Sequence, residues 1–324
     1  MKVTIERKSW PIRGHFTISR GSKTQADTVL VSLEHEGAIG RGECVPYLRY
    51  GESLQSVEAQ IEALIPAFNA GLSREELQTL LPAGAARNAL DCALWDLNCK
   101  RNQESIWTQT GIVPHPLLTA YTLSLDTPEK MQQAAISNAA RPLLKLKLGG
   151  AADLARVQAV RRGAPAAQII LDANEAWSVS DYQRLIPELV NLDVTMIEQP
   201  FAAGEDDVLA KLERPIPICA DESCHDRHSL ERLVGRYDMI NIKTDKTGGL
   251  TEALLLKQQA EQAGLAVMVG CMLSSSLSMA PAFVVAQGAQ VVDLDGPLLL
   301  SEDIEHGFEF SQQQMLPFSP QLWG

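Results

Sequence analysis

The sequence predicts an α/β protein, a small α+β domain followed by a closed β/α barrel, and three observations carry that prediction. From residue 143 onward, short apolar runs each end in one ionisable side chain before a turn signal. These are Lys147, Asp172, Glu198, Asp221 and Lys243, at intervals of 25, 26, 23 and 22 residues, and a further interval of 50 leads to Asp293. A strand, a crossover helix and two turns take roughly 25 residues, so the beat is that of a repeated β/α unit. The second observation is a change of hydrophobic period, from strand alternation before residue 44 to helical spacing after Ser53. The third is a count: eight strands can be read from residue 117 onward, but only seven helices between them. In a closed barrel the carboxyl ends of all strands share one face, so the scattered ionisable residues converge at its mouth.

Taken in order, Val3 to Arg7, His15 to Arg20, Thr28 to Glu34 and Ile39 to Glu43 alternate as strands of an antiparallel meander, with a turn at His35-Glu36-Gly37. The polar stretch from Gly14 to Thr24, which contains Arg20, reads as a mobile loop. Pro46 to Glu52, with Tyr47, Arg49 and Tyr50, reads as a second loop. Ser53 is placed to cap a helix whose apolar stripe is Leu54, Val57, Ile61, Leu64 and Ile65. Ser73-x-x-Glu76 has the form of a capping box. Ala85 to Lys100 is helical and apolar on more than one side, with Asp91 and Asp96 expected at its surface or at a domain contact. The barrel strands are expected to end near residues 125, 147, 172, 198, 221, 243, 269 and 293. Helices are expected within 128–140, 151–162, 178–189, 204–212, 229–233, 250–263 and 275–286. The domains are therefore expected at 1–112 and 113–299, with 300–324 running back onto the first.

Composition limits the partners. A hydrophobic content of 45% and a charged content of 21% are ordinary for a globular protein. The net charge of −12, without any basic block, excludes nucleic acid and anionic membrane surfaces and leaves a small-molecule partner. No apolar run approaches eighteen residues, and residues 1–8 lack the apolar core of a signal peptide. The six cysteines are dispersed with no CxxC pair, as expected of reduced thiols in a cytoplasmic protein. A homo-oligomer is compatible with all of this.

The residues at the strand ends suggest a chemistry. Asp172, Glu198 and Asp221 on successive strands form an all-oxygen donor set, which favours Mg²⁺ over zinc. Asn174, two residues beyond the first ligand, is a candidate hydrogen-bond support for it, and Glu222 is placed to pair with a lysine. Lys145 and Lys147 share one strand face. Lys147 precedes the three acids in strand order and Lys243 follows them, with Asn241 on the same face as Lys243. A lysine becomes a base only if its pKa is lowered, and Lys145 is a cation able to do this to Lys147. Two amines flanking a metal-bound carboxylate suit removal of the adjacent carbon-bound proton on one face and its return on the other, through an enediolate.

The motifs KLK at 145–147, DAN at 172–174, IEQP at 197–200, ADES at 220–223, NIK at 241–243, KTGG at 246–249 and GCM at 270–272 resemble those of the enolase superfamily, in its muconate lactonising enzyme subgroup. The resemblance implies a modified TIM barrel, (β/α)₇β, under an N-terminal α+β capping domain, which agrees with the missing eighth helix. It implies one Mg²⁺ per subunit on Asp172, Glu198 and Asp221, and Lys147 with Lys243 as the acid/base pair. Asp293-Leu294-Asp295 resembles the acidic pair with which dipeptide epimerases of this superfamily hold a substrate ammonium group. Arg20 resembles the arginine that receives the side-chain carboxylate of a C-terminal glutamate. Lys145, Cys271 and Met272 are expected to line the same substrate site. Together these imply inversion of the glutamyl α-carbon of L-Ala-D/L-Glu, a dipeptide of murein peptide turnover. Two alternatives stay open: an o-succinylbenzoate synthase or N-succinylamino acid racemase with the same metal and lysines, and a catalytically silent ligand-binding barrel.

Overall fold

The computed structural model describes residues 1–311 and 313–324. Its first part opens with β1 (Lys2–Ile18), β2 (Gly21–His35) and β3 (Ala38–Cys44), an antiparallel sheet in that order. The two long strands pair from Lys2 with Glu34 to Ile18 with Gly21, with one irregularity between Pro11 and Phe16. The stretch Gly14–Thr24, expected as a mobile loop, is thus the far end of a hairpin with Ser19 and Arg20 at its turn. The alternation of His15 to Arg20 is that of a strand, and the polarity of Gly14–Thr24 reflects the exposure of this end of the hairpin, not a loop.

Ser53 caps α1 (Leu54–Ala63), its hydroxyl accepting from the Ser56 N–H. The expected stripe through Ile65 is divided, because Pro66 has no N–H to continue the ladder and instead starts α2 (Ile65–Asn69). Ser73 and Glu76 form the expected capping box on α3 (Arg74–Leu80). The long α4 (Ala85–Asn102) is buried around most of its circumference and lies directly on β3. That approach requires glycine: a Cβ on Gly40 would stand 2.2 Å from the Ala93 carbonyl oxygen, and one on Gly42 2.1 Å from that of Ala89. After α5 (Ile106–Thr110) and the short β4 (Leu117–Leu118) the alternation begins.

The barrel runs β5 (Tyr121–Leu123), α6 (Pro128–Ser137), β6 (Leu143–Lys147), α7 (Asp153–Gly163), β7 (Gln168–Asp172), α8 (Val179–Asn191) and β8 (Val194–Glu198). It continues with β9 (Ile218–Ala220), α9 (Leu230–Leu233), β10 (Met239–Ile242), α10 (Thr244–Thr247), α11 (Leu250–Gln262), β11 (Ala266–Gly270), α12 (Ser276–Ala286) and β12 (Val291–Asp293). A 3₁₀ turn, Asp207–Lys211, stands where a short helix is expected. After β12 comes a single turn, α13 (Gly296–Leu299), then β13 (Phe310–Ser311) and β14 (Gln314–Met315), which form a small sheet with β4. The strands β5 to β12 form one parallel sheet in sequence order. Its two edges meet at a seam where the Ala120 N–H donates to the Val292 carbonyl at 2.8 Å and the Leu294 N–H to Thr119 Oγ1 at 2.8 Å. The fold is thus a nearly closed eight-stranded barrel behind an antiparallel sheet domain, as expected. Among the described residues no helix is long and apolar enough to cross a membrane.

Strand period two sorts the barrel interior by depth. Ala120, Leu143, Ile170, Met196, Cys219, Met239 and Met268 form an apolar floor. Two residues further along their strands the interior turns polar, with Thr122, Lys145, Asp172, Glu198, Asp221 and Asn241. The intervening Leu144, Leu146, Ile169, Leu171, Ile197, Ile240 and Ile242 face outward into the main core under the helices.

The two parts are joined by buried acids. Asp91, fully buried rather than at a surface, accepts from the Thr251 N–H at 2.9 Å and its hydroxyl at 2.6 Å. Asp96 accepts from the N–H groups of Arg41 and Gly324 at 2.7 and 2.8 Å. Trp323, wholly buried, donates to the carbonyls of Arg41 and Cys92. Asp245 on α10 accepts from the Val45 N–H and from Asn88 Nδ2, both on Oδ1, and burial pushes its carboxyl up to about 7. A carboxyl raised from 3.8 in this way binds its proton more tightly folded than unfolded. Its ionisation therefore removes stability as pH rises from about 4 to 7. Asp245→Asn keeps both bonds on Oδ1 and removes that cost. Thermal unfolding at pH 8 is expected to show the variant more stable, by on the order of 2–4 kcal/mol, and the advantage is expected to vanish near pH 4.

Candidate active site

At the mouth, Asp172 ends β7, Glu198 ends β8 and Asp221 follows β9, and an oxygen from each lies within 4.8 Å of the others. Lys147 at the end of β6 donates to Asp172 Oδ2 at 2.6 Å. Lys243, just past β10, donates to Asp221 Oδ2 at 2.6 Å. The carboxylates therefore stand between the two lysines in the order of strands around the barrel.

Lys145, one layer deeper, lies 2.5 Å from Glu198 Oε2, 2.7 Å from Asp293 Oδ2 and 3.4 Å from Asp172 Oδ2. Asn241 Nδ2 donates to Glu198 Oε1 at 2.7 Å. Gly270 leaves room for it, since a Cβ there would stand 2.7 Å from Asn241 Oδ1.

The electrostatics follow from these pairs. Burial works against ionised Asp172, but Lys147 and Lys145 bring its carboxyl down to about 2. Burial likewise opposes the Asp221 charge, and Lys243 and Lys246 outweigh it, holding the group well below the usual carboxylate range. Glu198 is raised, by burial and by the Asp172 charge. Burial disfavours the Lys243 ammonium, yet Asp221 and Glu198 hold it well above its ordinary value. Lys145 is raised too: against burial, Asp293, Glu198 and Asp172 hold its charge. Lys145 is thus a buried cation shared by three carboxylates. A divalent cation on the triad would compete with the lysines for the same oxygens.

The residues fit such a cation. Among the described residues, five of the eight buried side-chain polar atoms without a hydrogen-bond partner belong to this site: Asn174 Oδ1, Glu198 Oε2, Glu222 Oε2, Asn241 Oδ1 and Asp293 Oδ1. All are oxygens, and clustered unpartnered acceptors are what a hard cation or a donor-bearing ligand satisfies. The Lys145 ammonium approaches Glu198 Oε2 as an ion pair outside hydrogen-bond geometry.

Above the carboxylates lies a cavity of about 450 Å³. The barrel supplies Lys147, Asn174, Asp221, Glu222, Lys243, Cys271 and Met272 to its wall, and the first domain supplies Phe16, Arg20, Lys23, Tyr47 and Tyr50. Arg20, Cys271 and Met272 thus reach the wall. Asp293, Asp295 and Lys145 do not line it and lie beneath. Asp295 accepts from the Thr122 N–H at 2.6 Å, and burial with the Asp293 charge pushes it up to about 7. Glu222, expected beside a lysine, is instead paired with Arg20 Nη2 at 2.8 Å. Burial, and then the charges of Asp221 and Asp172, raise it to about 7.

Three participants lie outside the sequence-based expectations. Lys246 is completely buried and donates to Asp221 Oδ1 at 2.6 Å and to the Asn241 carbonyl at 3.0 Å; the KTGG motif was its signal. Gln199, at a φ of +38°, accepts on Oε1 from the N–H groups of Asp221 and Ser223, at 2.8 and 3.1 Å. It thereby clamps the ends of β8 and β9 together, and only its place after Glu198 marked it. Tyr50 packs edge-on against His225 with ring centroids 4.6 Å apart, which ties the 46–52 segment to the barrel.

A family model described as mandelate racemase / muconate lactonizing enzyme, N-terminal domain, matches residues 1–111, and one described as enolase C-terminal domain-like matches 129–311. The chain is 46% identical to L-Ala-D/L-Glu epimerase of Escherichia coli (strain K12), over 97% of this chain and 98% of that protein. It is 45% identical to N-acetyl-D-glutamate racemase of a Pseudoalteromonas species, over 91% of this chain and 95% of that protein. Its structure aligns at a TM-score of 0.98 and 50% identity, over 99% of each chain, with an enolase family member from Agrobacterium tumefaciens with homology to dipeptide epimerases. That structure holds sodium and L-Ala-L-Glu with an ordered loop.

Proposed function

The chain belongs to the enolase superfamily, as an enzyme of its epimerase and racemase kind, and from that membership we propose that it inverts the glutamyl α-carbon of L-Ala-D/L-Glu. The observation that carries the substrate reading is Asp293. Its Oδ2 pairs with Lys145, while its Oδ1 is buried without a partner, an acceptor suited to a dipeptide's ammonium group.

In this reading Asp172, Glu198 and Asp221 hold one Mg²⁺ per subunit, which when bound supplies positive charge beside the substrate's α-carboxylate and so acidifies the adjacent C–H. Lys147 and Lys243 each serve one face of the α-carbon placed between them, one removing the proton and the other delivering one. Lys145 and Asn241 fix Glu198 and Asp293, and Gln199 and Lys246 fix Asp221. The capping hairpin and the 46–52 segment exclude water, held down by Arg20 on Glu222 and by Arg49 on Glu175. The reaction belongs to turnover of murein peptides within the cytoplasm.

A second reading is racemisation of an N-acylated glutamate, favoured by the 45% identity to N-acetyl-D-glutamate racemase. Such a substrate carries no ammonium for Asp293. Incubation of L-Ala-L-Glu with protein and Mg²⁺ in D₂O, followed by NMR, separates the two. Deuterium at the glutamyl α-carbon together with L-Ala-D-Glu supports the dipeptide reading. No exchange there, with exchange into N-acetylglutamate, replaces it by the second.

A further inference from the structure

Asp221 is the one member of the acidic triad that lies outside a strand. β9 ends at Ala220, and the Asp221 N–H is held instead by Gln199 Oε1 at 2.8 Å, which also takes the Ser223 N–H at 3.1 Å. What holds Gln199 therefore bears on where Asp221 stands. Gln199 itself sits at a φ of +38°, which a residue with a Cβ keeps only where its surroundings impose it.

The other end of the amide is fixed by a buried cluster behind the site. Nε2 donates to the Phe201 carbonyl and Ser223 Oγ at 2.9 Å each and to the Tyr237 hydroxyl at 3.0 Å. Both hydroxyls in turn give their single protons to the same atom, Asp206 Oδ2, Ser223 at 2.5 Å and Tyr237 at 2.6 Å. Asp206 is 4% exposed, precedes the 3₁₀ turn Asp207–Lys211 and does not line the cavity. Burial, and then Asp206, raise the Tyr237 hydroxyl, so it keeps the proton that it donates.

The polarity of this cluster runs one way. A hydroxyl has one proton and two lone pairs. Because Asp206 takes the protons of Ser223 and Tyr237, both present lone pairs to Gln199 and meet only its NH₂ end. Oε1 is left to face Asp221 and Ser223. Without Asp206 those protons turn toward Gln199, where a carbonyl oxygen is what satisfies them, and the amide is drawn away from Asp221.

We propose that Asp206 is a positioning residue for the metal centre: through Ser223, Tyr237 and the Gln199 amide it sets the backbone, and so the carboxylate, of Asp221. The proposal rests on the reading of Asp221 as a Mg²⁺ ligand and adds to it a residue remote from the cavity. Calorimetric titration with Mg²⁺, and thermal unfolding without it, are compared in wild type, Asp206→Ala, Asp206→Asn, Gln199→Glu and the double variant Gln199→Glu/Asp206→Ala. Asp206→Ala raises Kd for Mg²⁺ about tenfold or more, as loss of an outer hydrogen-bond partner of a metal ligand does. Asp206→Asn, whose amide oxygen can accept both hydroxyls where Oδ2 does, stays near wild type. In Gln199→Glu a carboxylate oxygen meets the lone pairs of Ser223, Tyr237 and Phe201, so Mg²⁺ binding and melting temperature fall. Removing Asp206 there frees both protons to turn to the new carboxylate. The double variant therefore binds Mg²⁺ more tightly and melts higher than Gln199→Glu alone, whereas a residue that merely fills space gives a loss in both backgrounds. Unchanged Mg²⁺ affinity in Asp206→Ala, an equal loss in Asp206→Asn, or a double variant worse than Gln199→Glu overturns the proposal. If Asp206→Ala does not fold, the melting temperatures of Gln199→Glu and the double variant decide. No Mg²⁺ binding by wild type overturns the metal reading and this proposal together, while binding that Asp206→Ala leaves intact overturns this proposal alone.

Discussion

Lys147→Arg and Lys243→Arg each reduce epimerisation of L-Ala-L-Glu by about a thousandfold or more, within the 10²–10⁴ span of general acid–base catalysis. Arginine keeps the cation, so the pairs with Asp172 and Asp221 persist and the site does not collapse around an unpaired carboxylate. What is lost is the ability to give up and take back a proton, because a guanidinium stays protonated throughout the accessible range. The two variants differ in a way that reports the geometry. With one amine left, the α-proton is still removed and returned on one face, so one epimer exchanges with D₂O without inverting. Lys147→Arg and Lys243→Arg are expected to exchange opposite epimers. The measurement is NMR of each diastereomer in D₂O, with thermal unfolding as the control for fold. Undiminished inversion by either variant contradicts assignment of one lysine to each face.

Removal of the divalent cation has a comparable effect. Treatment with a chelator abolishes turnover and Mg²⁺ restores it, while far-ultraviolet circular dichroism stays constant, because Lys147, Lys243 and Lys246 remain to neutralise Asp172 and Asp221. Glu198→Gln separates the ligand from the fold. The Asn241 bond to Oε1 survives the change, but Lys145 loses one of its three carboxylates. Calorimetric titration with Mg²⁺ is expected to show affinity lowered by a hundredfold or more, and turnover lowered by about a thousandfold, given a cation worth several kcal/mol to the reaction. Unaltered Mg²⁺ affinity in Glu198→Gln would remove that residue from the ligand set.

The candidate site was legible in the sequence to the extent that strand ends were. All five charged residues close apolar runs in the sequence, and in the fold Lys147, Asp172 and Glu198 are the last residues of their strands while Asp221 and Lys243 lie one residue past theirs, so their convergence followed from period and barrel closure. Lys145 and Asn241 were found because they break an otherwise apolar strand on the interior face. The full length of the hairpin was not legible: His15 to Arg20 alternate as a strand, but the polar, exposed stretch from Gly14 to Thr24 reads as a loop and not as the pairing that β1 and β2 continue to Ile18 and Gly21. Nor was the partner of Glu222: Arg20 lies 202 residues away, and no local pattern encodes so distant a contact. Lys246 sits in the single turn of α10, too short for any period. For Asp293 and Asp295 position was legible but orientation was not, because the carboxylates are aimed by Lys145 and by the Thr122 amide.

The seam that closes the barrel also ties together stretches far apart in the chain. Its bonds join residues 119–122 to 292–295, and Trp323 and Gly324 then complete the burial of α4 in the first domain. Loop-closure entropy over some 170 residues must be overcome before those contacts repay it. A nascent chain lacking its last thirty-odd residues therefore holds an open sheet with two unpaired edges and an unfinished first domain. Without that segment β5 and β11 are left as unpaired edges, the points at which such a chain is open to self-association.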